Sequence, residues 1–306
     1  MRAHSSSFLS VAPFMISPLE KLGIGSGQFP LDQVHGTARG RSPQAEVRDI
    51  LEIAARARLR TFDIDGRAPQ AETVLGEVMP RPNPFRVSIS TVRPDKGPDV
   101  VEAEACAALR RLNVPQADVI FVPSASDLFG PHGMALWNRV QAMRDAGLCR
   151  RVGISLYASD DPVGVAKRFR PDVVQAPASL LDQRLLVDGS LATLCDMGVE
   201  VHLRSIFLNG LLFLPPDRVP HQLKGAAGRI SRARRLIAEG RSDPLQASLG
   251  FALSRPEAAA VLVGVTSAAE ISAVIAAASS PPPDLDWDEM ALDDPAVLDP
   301  RAWAAA

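Results

Sequence analysis

Two aspartates, Asp63 and Asp65, close a short apolar stretch with the sequence RTFDID. Carboxyl groups two positions apart on a strand point to the same face of the sheet. There they could share a proton or bind a cation. The alternative is that they spread apart at the strand end, where one of them orients a neighbouring amide. The segment 60–76 contains no tyrosine, lysine or histidine, so its acid groups lack an obvious proton donor.

Other residues whose side chains could take part in catalysis or binding are scattered along the chain. Arg93 and Lys96 follow another apolar run and could meet an anionic ligand such as a phosphorylated sugar, although a solvated loop is the favoured explanation. None of the five histidines has a partner at the spacing of a metal site or a nucleophile triad, and His202 lies inside an apolar run as a packed residue would. The three cysteines form no C-x-x-C pair, which indicates reduced thiols and no metal site.

Short apolar runs recur along the chain and must position these residues. Each is too short for a helix and nearly continuous in apolar residues, as strands buried on both faces are. Eight such runs occupy 22–27, 60–65, 87–91, 118–123, 151–156, 173–179, 199–206 and 259–266. Helical patterns such as 45–59, 99–112 and 133–147 lie between them, and Gly147 is placed to end the last of these. Eight strand–helix units, each about 30 residues long, favour an α/β fold, a closed (β/α)₈ TIM barrel, over a doubly wound sheet.

The domain organisation follows from the same spacing. We expect one barrel domain over 1–306, with an N-terminal extension at 1–20 and an irregular, proline- and acid-rich C-terminal tail at 279–306. Between the seventh and eighth runs a long insertion predicts an extra helix after Pro215-Pro216. It is a candidate lid or cofactor-side loop.

Composition limits the classes of function. With 46% hydrophobic and 22% charged residues in 306, the chain can bury a large core. A net charge of -2 gives no electrostatic reason to expect a nucleic-acid partner. No segment approaches the roughly 18 apolar residues of a membrane span, and the first 20 residues make a poor signal peptide. We therefore expect a cytoplasmic protein without a membrane partner.

In a TIM barrel the carboxyl ends of the strands and the following loops build the site. The segments around those ends, taken in order, resemble the aldo/keto reductases from about residue 22 to residue 277. The matching segments are LGIGSGQF, TFDIDGRAPQAETVLG, ISTV, DVIFVP, RVGISLY, VVQAPASLLDQR, HLRSIFLNGLL and VLVGVTSAAEI. The first and seventh are most similar to a bacterial branch linked to surface-polysaccharide biosynthesis.

The resemblance implies carbonyl reduction with NADPH. In that family a tyrosine is the general acid, a lysine and an aspartate lower its pKa, and a histidine orients the carbonyl. Laid over this chain, the aspartate falls on Asp63, the tyrosine on Ala68, the lysine on Val92 and the histidine on Pro123. The one tyrosine of the chain, Tyr157, follows the fifth run, and its hydroxyl could still face the site.

The resemblance implies NADP as the cofactor, although several of the family's cofactor-binding residues are replaced in this chain. The ring that stacks on nicotinamide falls on Ala178, and the helix after the eighth run has no lysine or arginine, with its usual asparagine replaced by Val274. Ser267 and Glu270 have the spacing of a capping box, which competes with phosphate binding at that helix. The remaining cofactor contacts that the resemblance implies are Ser155, Gln175, Ser179, Arg204, Ser205, Gly264 and Ser267.

These residues favour a degenerate aldo/keto reductase. The leading interpretation is a pseudo-enzyme in sugar or polysaccharide metabolism that binds a sugar-like ligand or a protein partner. The alternative is an NAD(P)H-dependent oxidoreductase acting on a carbonyl or sugar with a non-standard proton donor, either water or Tyr157. A third possibility is a structural subunit that covers its barrel mouth with a partner. The sequence leaves the oligomeric state open.

Overall fold

A computed structural model describes residues 18–29, 43–64, 69–93, 97–215 and 218–303. Six residues considered above, histidines included, lie outside these ranges, namely His4, His35, Asp65, Ala68, Lys96 and Pro216. The predictions made for them stay predictions.

Eight parallel strands form a closed barrel in the order β1 to β8, with β8 pairing back to β1. The TIM barrel predicted from the sequence is confirmed. The strands are β1 (Leu22–Gly25), β2 (Thr61–Ile64), β3 (Arg86–Ser90), β4 (Ala117–Val122), β5 (Cys149–Ser155), β6 (Val173–Pro177), β7 (Glu200–Arg204) and β8 (Ala258–Gly264). Each of the eight predicted runs overlaps its strand, and no strand end differs from the end of its run by more than two residues. The first, for example, ends at Gly25 because Ser26–Gln28 turn into a 3₁₀ helix.

Helices surround the barrel and continue into the tail. They are α1 (Pro18–Lys21), α2 (Pro43–Arg56), α3 (Pro69–Val78), α4 (Pro98–Leu112), α5 (Ala125–Phe129), α6 (Gly133–Asp145), α7 (Pro162–Phe169), α8 (Arg184–Val187), α9 (Ser190–Asp196), α10 (Ala227–Glu239), α11 (Pro244–Leu253), α12 (Ala268–Ala278), α13 (Pro295–Leu298) and α14 (Pro300–Trp303). The extra helix expected in the insertion is α10, which follows a 3₁₀ segment at His221–Ala226.

Local signals explain where several helices begin and end. Helix α4 begins with Pro98, whose fixed φ suits the first helical position, and it ends before Asn113 in the left-handed conformation. Gly147 follows α6 with a φ of +78°, a conformation that glycine adopts without a side-chain penalty. The predicted helix end at this glycine is therefore present.

The barrel interior is packed separately from the main core. The main core lies between the strands and the surrounding helices, whereas Val119, Phe121 and Val173 form their own small buried cluster. Gly153 makes room for this cluster, because a Cβ atom there would lie 2.4 Å from the Phe121 ring. The ring of His202 lies 6.1 Å from that of Phe121. Large and small residues thus alternate across the interior.

The C-terminal tail differs from the irregular segment predicted. Two short helices form in it, each beginning with an Asp-Pro pair: Asp294 accepts a hydrogen bond from the backbone of Ala296, and Asp299 from that of Arg301. An aspartate cap followed by proline at the first helical position favours such a start. The tail also packs on the barrel, because the backbone amide of Leu292 donates to the Leu181 carbonyl at 2.8 Å.

Candidate functional site

A hydrogen-bonded network joins three strand ends at the carboxyl end of the barrel. The amide nitrogen of Gln175 donates to Oδ1 of Asp63 at 2.8 Å, and the hydroxyl of Ser155 donates to Oε1 of Gln175 at 3.2 Å. Gln175 is 4% exposed and Ser155 is 8% exposed. Asp63 therefore orients a neighbouring amide, which is one of the two roles considered for it from the sequence. The network brings together two of the predicted cofactor residues and the predicted catalytic remnant.

A second polar group extends along the barrel interior from the amino end. Glu200 at the start of β7 bonds the Nε2 atom of His202 at 2.8 Å and Nη1 of Arg151 at 2.6 Å. The hydrogen bond from His202, assisted by the charge of Arg151, lowers the pKa of Glu200 from 4.5 to about 2. Arg151 also bonds Asp118 at 2.6 Å. This group ties β4, β5 and β7 together and explains why His202 is packed.

The carboxyl ends of β3, β4 and β5 open into a cavity of about 810 Å³, which we call the mouth cleft. It extends outward between α3 and α4. Val92 and Pro123, the positions where the resemblance places lysine and histidine, both line it, as does Tyr157. Its other described lining residues are Pro69, Glu72, Ser90, Thr91, Arg93, Glu104, Ala105, Ala108, Arg111, Ser124, Ser126 and Arg301.

Hydroxyl and guanidinium groups give the mouth cleft its polarity. Thr91 is only 6% exposed, and its hydroxyl has no hydrogen-bond partner. The hydroxyls of Ser124 and Ser126 lie 2.8 Å apart. Arg93 is 71% exposed and meets Asp127 only at 3.5 Å, so its charge is available to a ligand. A buried hydroxyl without a partner is costly, and a ligand oxygen in the cleft could supply one.

Tyr157 is held by cations at the edge of the mouth cleft. The guanidinium carbon of Arg301 lies 3.6 Å from its ring centre, and that of Arg204 lies 4.4 Å away, both within cation–π range. Arg204 also donates to the Leu156 carbonyl at 2.8 Å and to the Ser205 hydroxyl at 3.3 Å. Arg204 thus contacts both Ser205, another predicted cofactor residue, and the tyrosine.

Ser179, another of the predicted cofactor residues, lies in a turn after β6. Its hydroxyl accepts a hydrogen bond from the backbone of Asp182 at 2.9 Å, and its own amide donates to the Asp182 carbonyl at 2.9 Å. The neighbouring Ala178 is buried. The structure therefore uses Ser179 to close a turn and does not bond it to Gln175.

A second cavity, of about 620 Å³, lies between the segment after β7 and helix α12; we call it the β8 groove. The rings of Phe207 and Phe213 meet edge to face along it, with centres 5.6 Å apart. Gly264 lies in its floor, where a Cβ atom would come within 2.7 Å of the Gln28 side chain. Val274 also lines it, and no lysine or arginine does among the residues that the structure describes.

Carboxylates occupy the start of α12 beside the β8 groove. The Ser267 hydroxyl accepts from the Glu270 amide at 3.2 Å, and the Glu270 carboxylate accepts from the Thr266 amide at 2.7 Å. The N-cap half of the expected capping box is therefore present, whereas Glu270 bonds the amide of Thr266 and not that of the cap residue Ser267. Glu46 of α2 adds a third contact by accepting from the Ala268 amide at 2.7 Å. Sequence reasoning missed Glu46, since 222 positions separate the two residues and nothing local links them.

The residues at this end of the β8 groove do not fit the phosphate-bearing end of NADP. A helix start attracts anions through its unpaired amides and its dipole. Here the carboxylates of Glu46 and Glu270 already take that place. By contrast, the strand-end residues Gln175 and Ser155 would suit the nicotinamide end of the cofactor, because their amide and hydroxyl groups can hydrogen-bond a carboxamide.

The described parts of the chain show neither a metal cluster nor a membrane helix. Within residues 18–29, 43–64, 69–93, 97–215 and 218–303, no three His, Cys, Asp or Glu side chains converge as a metal site would require. In the same ranges no helix has the length and apolar character needed to cross a membrane.

Comparisons with known proteins place the fold. The model of the aldo/keto reductase family matches residues 21–291. An aldo-keto reductase from Bacillus halodurans, solved in its holo form, superposes with a TM-score of 0.68 at 17% identity over 88% of this chain and 89% of its own. A glycerol dehydrogenase from Gluconobacter oxydans superposes with a TM-score of 0.67 at 16% identity over 89% of each chain. Comparison with curated protein sequences finds no significant match.

Proposed function

The chain belongs to the aldo/keto reductase family, and we propose that it is a degenerate member that binds a sugar-like ligand at its barrel mouth instead of reducing carbonyls. The observation that carries this proposal is the lining of the mouth cleft. Val92 and Pro123 stand there where the resemblance places the lysine and the histidine, and neither side chain can donate a proton. The single tyrosine is stacked against two arginines.

The loss of the donor has a predictable kinetic consequence. General acid–base catalysis contributes about 10²- to 10⁴-fold to a rate, so its removal leaves at most slow turnover. Asp63, whose counterpart in the family tunes a tyrosine, instead accepts a hydrogen bond from Gln175. In this proposal the aspartate keeps the carboxyl end of the barrel in shape.

The chemistry of the mouth cleft supports a hydroxylated ligand that carries a negative charge. Hydroxyls from Ser90, Thr91 and Ser124 can exchange hydrogen bonds with sugar oxygens, and Arg93 and Arg301 can meet a phosphate or carboxylate. The dehydrogenase with a similar fold is named for a polyol, glycerol. We therefore place this protein in sugar or polysaccharide metabolism, in the cytoplasm.

A ligand titration tests this proposal. We would titrate the protein with glucose, glucuronate and glucose 6-phosphate, using calorimetry and thermal shift. We expect saturable binding of at least one anionic sugar, and about fivefold weaker binding by Thr91→Val, since one hydrogen bond is worth about 1 kcal/mol. Thr193→Val is the matched control, because that hydroxyl bonds the Gly189 carbonyl on the outside of the barrel.

Two outcomes separate the possibilities. Absence of binding to all three sugars, together with co-purification of a protein on the mouth cleft, would replace the sugar ligand by a protein partner. Equal effects of Thr91→Val and Thr193→Val would remove the mouth cleft as the binding site.

A second candidate function is a reductase with a non-standard proton donor. The network of Asp63, Gln175 and Ser155 favours it, because these groups are intact and suited to a carboxamide. In that case NADH or NADPH should bind saturably, as seen by quenching of protein fluorescence. Gln175→Leu should weaken the binding, and Tyr157→Phe should abolish any reduction that uses the phenol. A lack of nucleotide binding at millimolar concentration would exclude this candidate.

A further inference from the structure

The start of helix α12 contains an unusual contact from another element of the fold. Glu46 belongs to α2, is 7% exposed, and accepts a hydrogen bond from the Ala268 amide at 2.7 Å. Ser267 and Glu270 already accept hydrogen bonds from two other amides at this helix start, those of Glu270 and Thr266. Glu46 is therefore a further anion on this helix start, supplied by a side chain that is nearly buried.

The Ala268 amide that Glu46 bonds lies in sequence between two residues that line the β8 groove, although neither Glu46 nor Ala268 itself lines it. Thr266 and Glu270 line the groove at that end. A phosphate bound there would need the first-turn amides, which is where helix starts bind phosphates. At those amides it would compete with Glu46 for the Ala268 amide and would lie beside Glu270. Among the described lining residues, no cation offsets this repulsion.

We propose that Glu46 is a specificity-determining residue that makes the β8 groove reject a phosphate at the start of α12. The groove then discriminates against a nucleotide that carries a 2′-phosphate and favours the same nucleotide without it. The carboxylate acts as a fixed internal substitute for the phosphate. This inference concerns the β8 groove alone and is independent of the ligand of the mouth cleft.

Binding of two adenosine nucleotides tests the role of Glu46. Wild type, Glu46→Ala and Glu46→Gln would be titrated with adenosine 2′,5′-bisphosphate and with 5′-AMP at constant ionic strength. We expect wild type to bind the bisphosphate no more tightly than 5′-AMP. Glu46→Ala should gain at least tenfold for the bisphosphate relative to 5′-AMP, and Glu46→Gln should gain less because it keeps the hydrogen bond. Glu52→Ala, on the exposed face of the same helix, is the matched control.

Inorganic pyrophosphate provides a second probe that needs no nucleoside pocket. Thermal shift should show saturable stabilisation of Glu46→Ala by pyrophosphate and none of wild type. Wild-type preference for the bisphosphate would overturn the inference, as would failure of Glu46→Ala to gain affinity for either probe. Urea unfolding of each variant verifies that the barrel is intact. Because the mouth cleft is tested separately with sugars and Thr91→Val, failure of one proposal leaves the other standing.

Discussion

Substitution of Glu200 by glutamine should reveal how the polar group inside the barrel contributes to stability. The Glu200 carboxylate bonds His202 at 2.8 Å and Arg151 at 2.6 Å, and these contacts hold its pKa at about 2 against an ordinary 4.5. A tenfold change in acidity corresponds to about 1.36 kcal/mol, so the full shift corresponds to about 3.4 kcal/mol. Because the side chain is 37% exposed, solvent screening reduces the expected loss in Glu200→Gln to about 1–2 kcal/mol.

The pH dependence follows from the direction of the shift. A carboxyl whose pKa is lower in the folded state stabilises that state above its unfolded pKa, and the contribution disappears as the pH falls. The difference between wild type and Glu200→Gln should therefore be complete above pH 4.5 and shrink between pH 4.5 and about 2. Urea unfolding at pH 7, 5, 3.5 and 2.5 measures it, with the free energy of unfolding compared at each pH.

A surface ion pair provides the control. Glu52→Gln removes an exposed carboxylate that meets Arg56 at 3.2 Å on α2, and it should cost about 0.5 kcal/mol or less. A loss in Glu200→Gln that is equally large at pH 7 and pH 2.5 would refute the electrostatic reasoning. A loss no larger than that of Glu52→Gln would refute it as well.

Two further substitutions test the packing and the turn beside the site. Gly153→Ala should destabilise the barrel by about 1–3 kcal/mol in urea unfolding, because the new Cβ would lie 2.4 Å from the Phe121 ring. Phe121→Leu should recover part of that loss in the double variant, and additive losses would contradict the proposed clash. Ser179→Ala should cost about 1 kcal/mol by removing the acceptor for the Asp182 amide, with no change in the affinity for NADH. A selective loss of nucleotide affinity would instead assign Ser179 to the cofactor.

The fold was predictable because its signal is local and repeated. Each strand is buried on both faces, so it appears in the sequence as a short apolar run, and eight runs with helices between them indicate a closed barrel. The strand ends were less certain: β1 stops at Gly25, two residues before the predicted run ends, because a 3₁₀ turn follows. The helical turns of the tail depend on Asp-Pro caps that an acid-rich composition obscures.

The site was predictable only where the fold itself brings residues together. Asp63, Ser155 and Gln175 stand at strand ends, which converge in any barrel of this type. By contrast, Glu46 contacts α12 across 222 positions, and Arg301 reaches Tyr157 from the C-terminal tail. Such contacts depend on how helices and tail pack against each other, and no sequence spacing encodes them.

Carbonyl reduction itself is the most direct measurement of the central claim. Wild type would be incubated with NADH or NADPH and a panel of aldehydes, ketones and sugars. Oxidation of the nucleotide would be followed with the nucleotide present at about 1–10 times the enzyme concentration. We predict at most slow turnover, because Ala68, Val92 and Pro123, where the resemblance places the tyrosine, lysine and histidine, have side chains that cannot donate a proton. Reduction by wild type that Tyr157→Phe abolishes would contradict the account, since it would show that the one tyrosine of the chain serves as the donor.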